Sequence, residues 1–303
     1  MRKRTLGTTT AAVAVFVAVG LALPAGAAAS ARTAVAPAVS VDLGVASVSA
    51  GKTGGITAVG LTNGGKALVT FAVRNPGAAS APIVITGLGG DDFLIGIDHR
   101  VQNGKLYGVG NNGGIYLLSD RAIAGRIGQI QVPLSGKAFG VDFNPAANAL
   151  RVISDTGQNL RHPFASGDAP GGATVVDTPL TNLAAPASGV SAAAYTNNDL
   201  NPDTATTLFD LDTVADQVVL QSPANAGTLV ATGKLGVAAD LDAGMDILST
   251  LSGDRTVKNT AYATIGTNGK YKLYEVDVLS GVASSLGSFP RAVTDIALPL
   301  NQR

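Results

Sequence analysis

The sequence predicts an all-β fold: a five-bladed β-propeller of four-stranded antiparallel blades, closed by N- and C-terminal strands that share one blade. Three observations lead to this fold class. Short β-branched and aromatic runs alternate with Gly, Asn and Asp turns from residue 55 onward, as expected for many short strands. These runs recur in units of four, and one strand is left over at the C-terminus. No stretch holds the 3.6-residue apolar period of an amphipathic helix.

Four complete units and one incomplete unit account for the blades. The incomplete unit at 55–88 lacks one strand, and the C-terminal run RAVTDIALPL at 291–300 supplies it. Pairing the two chain ends removes the open sheet edges that invite aggregation. A β-sandwich is the alternative, but it explains neither the repeat nor the leftover strand. The complete units span 93–132, 138–180, 189–235 and 244–289.

The N-terminus has the layout of a secretory signal peptide. Basic residues at 2–4 precede the apolar run 11–23, and small residues follow. This run is too short to cross a bilayer core, which takes ~20 residues. We therefore expect a secreted, soluble protein without a membrane span. The expected organisation is a signal peptide at 1–31, a flexible Ala/Val/Pro/Gly-rich leader at 32–54 and a single propeller domain at 55–303.

Composition excludes several classes of partner and site. The 303 residues carry 21 basic and 21 acidic side chains and no net charge, so nucleic acid has no electrostatic attraction to the chain. Cysteine is absent, which removes disulfides, thiolate metal sites and a lipoprotein anchor. We expect a monomer whose partner is an extracellular protein or glycan.

The stretch RVISDTGQNLR at 151–161 contains Asp155-Thr156-Gly157, the tripeptide of aspartic proteases. Those enzymes need a second such Asp, because two carboxylates share a proton, and the sequence has no other D-T-G or D-S-G. Other units hold TNGG (62–65), NNGG (111–114) and TNGK (267–270) in the same slot. We therefore interpret D-T-G as a hairpin turn in which Asp155 accepts backbone N–H groups one or two residues onward.

Two long stretches resemble a bacterial family known as domain of unknown function 4394. They are GVDFNPAANALRVISDTGQNLR at 140–161 and AAAYTNNDLNPDTATTLFDLDTVADQVVLQSPANAGTL at 192–229. The resemblance extends over roughly 61–298. It implies a secreted propeller of repeats and supplies no activity. The segment GIDHRVQNG departs from the family pattern, where a Pro-containing turn is expected.

Connections between blades gather at the mouth of a propeller's channel, and here two of them carry pairs of carboxylates. Oxygen-rich sets of this kind suit a divalent cation such as calcium, although solvated turn residues paired with Lys137 and Arg291 explain them equally. The candidate metal ligands are Asp91, Asp92, Asp240 and Asp242. The binding-face candidates at the same mouth are Lys137, Asp155, Gln158, Asn159 and Arg291.

Two further candidates are interpreted structurally. The loop NNDLNPD at 197–203 alternates oxygen-bearing side chains, but it has Pro202 and Leu208 where an EF-hand needs Gly and Glu. We favour a polar loop at the lower rim over a calcium site. His99 and His162, the only histidines, are interpreted as surface or turn residues.

Two functions from different classes follow. The first is a non-catalytic exported module that binds a protein, peptide or glycan, since no nucleophile arrangement is found and the propeller does not dictate function. The second is a metal-dependent hydrolase or lyase at the channel mouth, which depends on the four carboxylates. No catalytic residue and no certain cofactor is assigned, and we favour the first.

The signal peptide generates a test of export. Cleavage after an A-x-A site should give a mature N-terminus between about Ala28 and Thr33. Edman sequencing of protein from culture medium measures this directly. Recovery of the chain with intact Met1 from a membrane fraction would contradict it.

Overall fold

The computed structural model describes residues 55–183 and 185–300. The predicted signal peptide and leader lie outside the described residues. Within these ranges the chain forms five sheets and no α-helix, and its two 3₁₀ helices are Pro76–Ala78 and Ala224–Ala226. No helix of the described part is long and apolar enough to cross a bilayer. The five-bladed β-propeller predicted from the sequence is confirmed.

Blade 1 is assembled from both ends of the described chain. Its sheet order is β22-β1-β2-β3, so that the last strand is the innermost one. In the closing pair, Gly60 lies opposite Ile296 and Leu61 opposite Asp295. The predicted pairing of 291–300 beside the N-terminal blade is therefore confirmed. The strands are β1 (Thr57–Thr62), β2 (Ala67–Ala72), β3 (Ile83–Val84) and β22 (Val293–Ala297).

Blades 2, 3 and 5 each consist of four consecutive antiparallel strands. Blade 2 has β4 (Leu94–Arg100), β5 (Lys105–Gly110), β6 (Gly114–Leu118) and β7 (Ala124–Gln129). Blade 3 has β8 (Phe139–Asn144), β9 (Ala149–Ser154), β10 (Asn159–Pro163) and β11 (Val175–Val176). Blade 5 has β18 (Ala243–Ser252), β19 (Arg255–Thr267), β20 (Lys270–Val276) and β21 (Ala283–Ser288).

Blade 4 differs from the prediction because it has six strands. Two short strands in the connection from blade 3 add to its outer edge, and β12 pairs in parallel with β17. The added strands cover an edge that would otherwise offer unpaired backbone groups. The strands are β12 (Thr181–Asn182), β13 (Ala185–Pro186), β14 (Val190–Tyr195), β15 (Leu208–Asp212), β16 (Gln217–Gln221) and β17 (Thr228–Lys234).

The inner strands form a closed ring in the order β22, β4, β8, β14 and β18, each in contact with the next. Apolar side chains from facing blades fill the spaces between the sheets. Between blades 5 and 1, for example, Phe289 and Phe71 meet edge to face with ring centroids 4.9 Å apart. The core is therefore a ring of inter-blade clusters, and it holds every inner strand in a fixed position around the channel.

The second-to-third-strand turns have the backbone that their sequences predict. Asn63 and Asn268 have φ of +55° and +52°, and Gly157 has +82°. This left-handed region is favoured by Gly and tolerated by Asn, so the interpretation of D-T-G as a turn is confirmed. The expected acceptor pattern of Asp155 is wrong: its Oδ1 accepts the N–H of Lys137 at 2.7 Å and of Ala138 at 3.3 Å. Asp155 thus fastens the connection from blade 2.

These contacts predict opposite outcomes for two neighbouring substitutions. Asp155→Asn keeps one oxygen for the Lys137 N–H, so we expect a loss of less than ~1 kcal/mol in unfolding free energy. Gly157→Val should cost about 1–3 kcal/mol, because a β-branched residue resists positive φ. A Cβ there would also lie 2.9 Å from the carbonyl oxygen of Ala187. Denaturant melts of both variants measure the difference. A larger loss for Asp155→Asn would contradict the turn assignment.

Candidate functional site

The structure places the four predicted metal ligands around separate hairpins. Asp91 accepts hydrogen bonds from Tyr116 Oη at 2.6 Å and from the N–H of Asn112 at 2.5 Å. Asp240 likewise accepts the N–H groups of Asn268 and Gly269 at 3.0 and 2.8 Å. Each of these carboxylates therefore caps the second-to-third-strand turn of its own blade.

The other two members of that set have different surroundings. Asp92 is exposed, whereas Asp242 is partly buried and burial raises its pKa to about 6. Among the described residues, no group of three converging ligand atoms includes Asp91, Asp92, Asp240 or Asp242. A metal role for these four remains a prediction without support from the geometry.

The predicted binding-face residues mainly brace the same mouth. Gln158 accepts the N–H of Ser135 at 2.9 Å and donates to the carbonyl of Pro133 at 2.9 Å. Arg291 donates to the carbonyl of Ser80 at 2.9 Å. Lys137 is exposed and Asp155 is partly buried, and a ligand role for them stays a prediction. Asn159 is buried with 1% of its surface exposed, so it is not available on this face.

A different carboxylate cluster lies in the channel. Asp98, Asp142 and Asp246 each contribute an oxygen, and these oxygens lie within 4.8 Å of one another. The three residues belong to the inner strands β4, β8 and β18. The motif reasoning missed them because they are separated in sequence. The available signal is a recurrent Gly-x-Asp at equivalent positions: Gly96-Ile97-Asp98, Gly140-Val141-Asp142 and Gly244-Met245-Asp246.

Each channel carboxylate bonds to the main chain of the next blade. Asp98 Oδ2 accepts the N–H of Phe143 at 2.8 Å, and Asp142 Oδ1 accepts that of Tyr195 at 3.2 Å. Asp246 Oδ2 accepts the N–H of Leu298 at 2.5 Å. These bonds satisfy inner-edge donors that face the channel and have no strand partner there. The cluster therefore ties neighbouring blades together.

Asp295, on strand β22, adds a fourth carboxylate to the channel at the level of Gly96 and Gly244. Its Oδ2 accepts the N–H of Ile97 at 2.8 Å, and two glycines make room for it. A Cβ on Gly244 would lie 2.6 Å from Asp295 Oδ1, and one on Gly96 would lie 3.1 Å from Oδ2. Closure and the glycines of the Gly-x-Asp pattern thus depend on one another.

Burial dominates the electrostatics of this channel. It raises the pKa of Asp98, Asp142 and Asp295 well above the ordinary range, with neighbouring carboxylates as a further cause. Burial also raises the pKa of Asp246 to about 6. Carboxyl groups that lie this close together and are this deeply buried cannot all be ionised at once. Some of them must stay protonated, or a cation must neutralise their charge. The cluster can hold protons or a divalent cation, but with exposures of 3–6% for Asp98, Asp142 and Asp246 it offers no access to a substrate.

Neither histidine lies in a turn, and the interpretation of His162 as a surface residue is wrong. His99 lies within β4, and burial lowers its pKa to about 4. His162 lies in β10 with 2% exposure, and its Nδ1 is 2.8 Å from Thr174 Oγ1. Burial lowers the pKa of His162 as well. Both side chains therefore belong to strands, with His162 buried and His99 half-buried.

The polar loop at 197–203 uses its oxygens within the protein. Asp199 Oδ2 accepts the N–H and the Oγ1–H of Thr256 at 2.9 and 2.7 Å, and its Oδ1 accepts the N–H of Asn201 at 3.0 Å. Asn197 exchanges side-chain and main-chain hydrogen bonds with Asn259. The loop thus fastens blade 4 to the β18–β19 hairpin of blade 5, in agreement with the favoured interpretation.

Two clefts flank blade 4 on the side of the propeller opposite the inter-blade connections. The larger one, between blades 4 and 5, has a volume of about 910 Å³. The smaller one, between blades 3 and 4, has a volume of about 320 Å³. Both volumes fall within the range of ligand pockets, ~300–1,000 Å³. Unlike the channel cluster, both clefts are open to ligands.

Comparisons with known proteins identify a family and leave the ligand open. A family model described as domain of unknown function (DUF4394) matches residues 67–297. No curated protein matches the chain. One similar solved structure is an auxiliary nutrient binding protein from Bacteroides thetaiotaomicron VPI-5482, with 12% identity, a TM-score of 0.41, and coverage of 82% of this chain and 67% of that one. Another is BBS1N in complex with ARL6DN, with 12% identity, a TM-score of 0.34, and coverage of 76% and 63%. Similarity at this level carries no argument about function.

The raised pKa values of the channel carboxyls predict that the stability of the folded protein falls as pH rises. Raised pKa values mean that the folded state binds protons more tightly than the unfolded one, so their contribution is complete below about pH 4 and is lost as pH rises through the folded pKa values. For Asp246 this amounts to on the order of 3 kcal/mol. The lowered pKa values of His99 and His162 oppose the trend below about pH 6.5, with two imidazoles against four channel carboxyls. We expect a higher melting temperature at pH 5.5 than at pH 8.

The matched variants are Asp246→Asn in the channel and Asp92→Asn at the exposed mouth. The first should reduce the difference in melting temperature between pH 5.5 and pH 8, because it removes one channel charge. The second should leave the difference unchanged. Equal pH profiles for wild type and Asp246→Asn would refute the assignment.

Proposed function

This chain belongs to the family described as domain of unknown function (DUF4394), and we propose that it is an exported, non-catalytic binding module. Its ligand is an extended peptide segment of an extracellular protein, held in the cleft between blades 4 and 5. The observation that carries the proposal is this cleft, called here the blade 4–5 groove. It is lined by Thr196, Phe209, Ile247, residues 258–261, residues 275–280, Val282 and Ser284.

The groove exists because one hairpin of blade 5 overhangs the rest of its blade. Strand β19 has 13 residues, whereas β20 has seven. The two strands pair only from Ala261 to Thr267 on the β19 side. Residues 255–260 therefore continue past the end of β20, and the place where a further strand would lie is open groove.

Main-chain groups on this overhang favour a peptide. The β19–β20 turn is a two-residue hairpin closed by Thr267 and Lys270. Every second residue of β19, counted backward from Thr267, therefore directs its N–H and C=O groups toward β20. Asn259 continues this series just beyond Ala261, the last residue paired with β20. Its main-chain donor and acceptor face the groove, as in recognition by added β-strands.

The side chains supply apolar contact and a charged rim. Leu279 and Val282 are 75% and 54% exposed, and Phe209 lies on the blade 4 side. Lys258 lies on one side and Glu275 and Asp277 on the other. An extended peptide with apolar residues at alternate positions, flanked by charges of either sign, complements this surface.

The second candidate function is a metal-dependent hydrolase or lyase. It is favoured by the convergence of Asp98, Asp142 and Asp246 within 4.8 Å. The burial of all three argues against it, because a metal there has no route to substrate. Elemental analysis of the purified mature protein, together with hydrolase assays before and after chelation, separates the two functions. Chelator-sensitive turnover would establish the enzyme.

If the groove binds a peptide, a substitution in the groove should weaken peptide binding, whereas a substitution outside it should not. A displayed library of random peptides selected on the wild-type protein should yield ligands that bind Val282→Asp at least about tenfold more weakly, since the variant places a charge among apolar contacts. Fluorescence anisotropy with the selected peptides measures this. Val230→Asp is the matched control, because Val230 is 53% exposed and lies on β17, outside the groove.

Three outcomes would overturn the proposal. One is a selection that enriches no peptide. Another is a set of peptides that bind both variants equally. The third is a neutral glycan that binds the wild type and loses binding with Val282→Asp, which would assign the groove to glycans.

A further inference from the structure

The smaller cleft, between blades 3 and 4, differs in chemistry from the blade 4–5 groove although the two are equivalent positions in the fold. We propose that it is a separate site for a neutral polyhydroxylated ligand, a single sugar unit being the class that fits. The volume is about 320 Å³. The inference does not depend on what occupies the larger groove.

The lining of this cleft is polar but uncharged. Amide and hydroxyl side chains surround it, with Tyr195, Leu208, Pro223 and Ala224 as the remaining residues, and no described lining residue is ionised at neutral pH. Such groups match hydroxyls, which both donate and accept. The amide and hydroxyl side chains are Asn144, Thr206, Thr207, Gln221, Ser222 and Asn225.

Gln221 is the side chain that points to a ligand. It is 1% exposed, and its Oε1 has no hydrogen-bond partner among the described residues. The amide orientation is fixed, because Nε2 donates to the carbonyl of Ala224 at 2.6 Å. Exchanging the two atoms would bring two oxygens to that distance. A residue that lines the cleft therefore carries a buried acceptor without a donor, which is unfavourable.

The equivalent position in blade 5 shows that the fold does not require this amide. Gln221 pairs with Leu208 on β15, just as Val276 pairs with Ala261 on β19. Val276 is apolar and buried. Packing of the blade is therefore satisfied by a valine, and the polar group at Gln221 is specific to the blade 3–4 cleft.

A buried arginine makes the cleft rigid without making it charged. Arg151 is 2% exposed and donates to Tyr195 Oη at 3.1 Å and to Asn225 Oδ1 at 2.6 Å. Its Nη1 lies 2.7 Å from Asp177 Oδ2, a carboxylate that Arg161 also contacts at 3.2 Å. Tyr195 and Asn225 are thus held in place for a ligand. All three guanidinium nitrogens of Arg151 already donate within the protein, so this buried arginine is not a free cation for an anionic ligand.

Saturation-transfer NMR with single sugars tests the site. The probes are glucose, galactose, mannose, N-acetylglucosamine and arabinose, with glucuronate as the anionic comparison. We expect at least one neutral sugar to bind, and Gln221→Met to weaken it about tenfold through loss of one hydrogen bond. Gln217→Met is the matched control, because Gln217 is a buried glutamine on the same strand outside the cleft.

A second variant keeps the test decisive if Gln221→Met does not fold. Thr207→Val preserves side-chain shape at the cleft rim and should also weaken sugar binding, with an unchanged melting temperature. The proposal is overturned if no neutral sugar binds, if glucuronate binds more tightly than every neutral sugar, or if the cleft variants bind sugar as tightly as Gln217→Met does.

Discussion

The pairing of β22 with β1 is the constraint on which the rest of this structure depends. Without it, blade 1 lacks its inner strand and the ring of five inner strands is open between blades 5 and 2. Closure also places Asp295 beside Gly96 and Gly244. The apolar cluster between blades 5 and 1, which includes Phe71 and Phe289, forms only when both chain ends are present. A few paired residues at the termini thus complete both the core and the channel.

Closure of the ring brings buried carboxyl groups together in the channel, and these groups accept hydrogen bonds that link neighbouring blades. The inner edges of the sheets present N–H groups that no neighbouring strand can pair. Asp98, Asp142 and Asp246 accept several of them across blade boundaries. The result is a dry group of carboxyls whose protonation depends on the folded ring. The channel therefore belongs to the framework, whereas the two clefts beside blade 4 are open to ligands.

The sequence predicts the parts of this fold that depend on local chemistry. Turns such as Asn63-Gly64 and Asn268-Gly269 are predictable, because positive φ is encoded by the residue types themselves. The leftover C-terminal strand predicts closure. The two strands added to blade 4 were not predicted, since Thr181–Asn182 and Ala185–Pro186 are too short for a period-2 pattern.

The candidate sites were less predictable, because they depend on register between distant strands. Asn159 looks like part of a turn in the sequence, yet the pairing of β10 turns its side chain into the space between blades 3 and 4, where it meets Arg151. The channel aspartates are 44 and 104 residues apart along the chain, from Asp98 to Asp142 and on to Asp246. Only the ring brings them together. The recurrent Gly-x-Asp would identify them once the blades are superposed.

The order of the strands in blade 1 also has a consequence for biosynthesis. Val59 pairs with Ala297, so nearly the whole domain separates these partners in sequence. Contacts of such high sequence separation are late and slow in folding. The five blades cannot close into a ring before β22 has left the ribosome. Emergence of β22 from the ribosome is therefore the event that permits the native state.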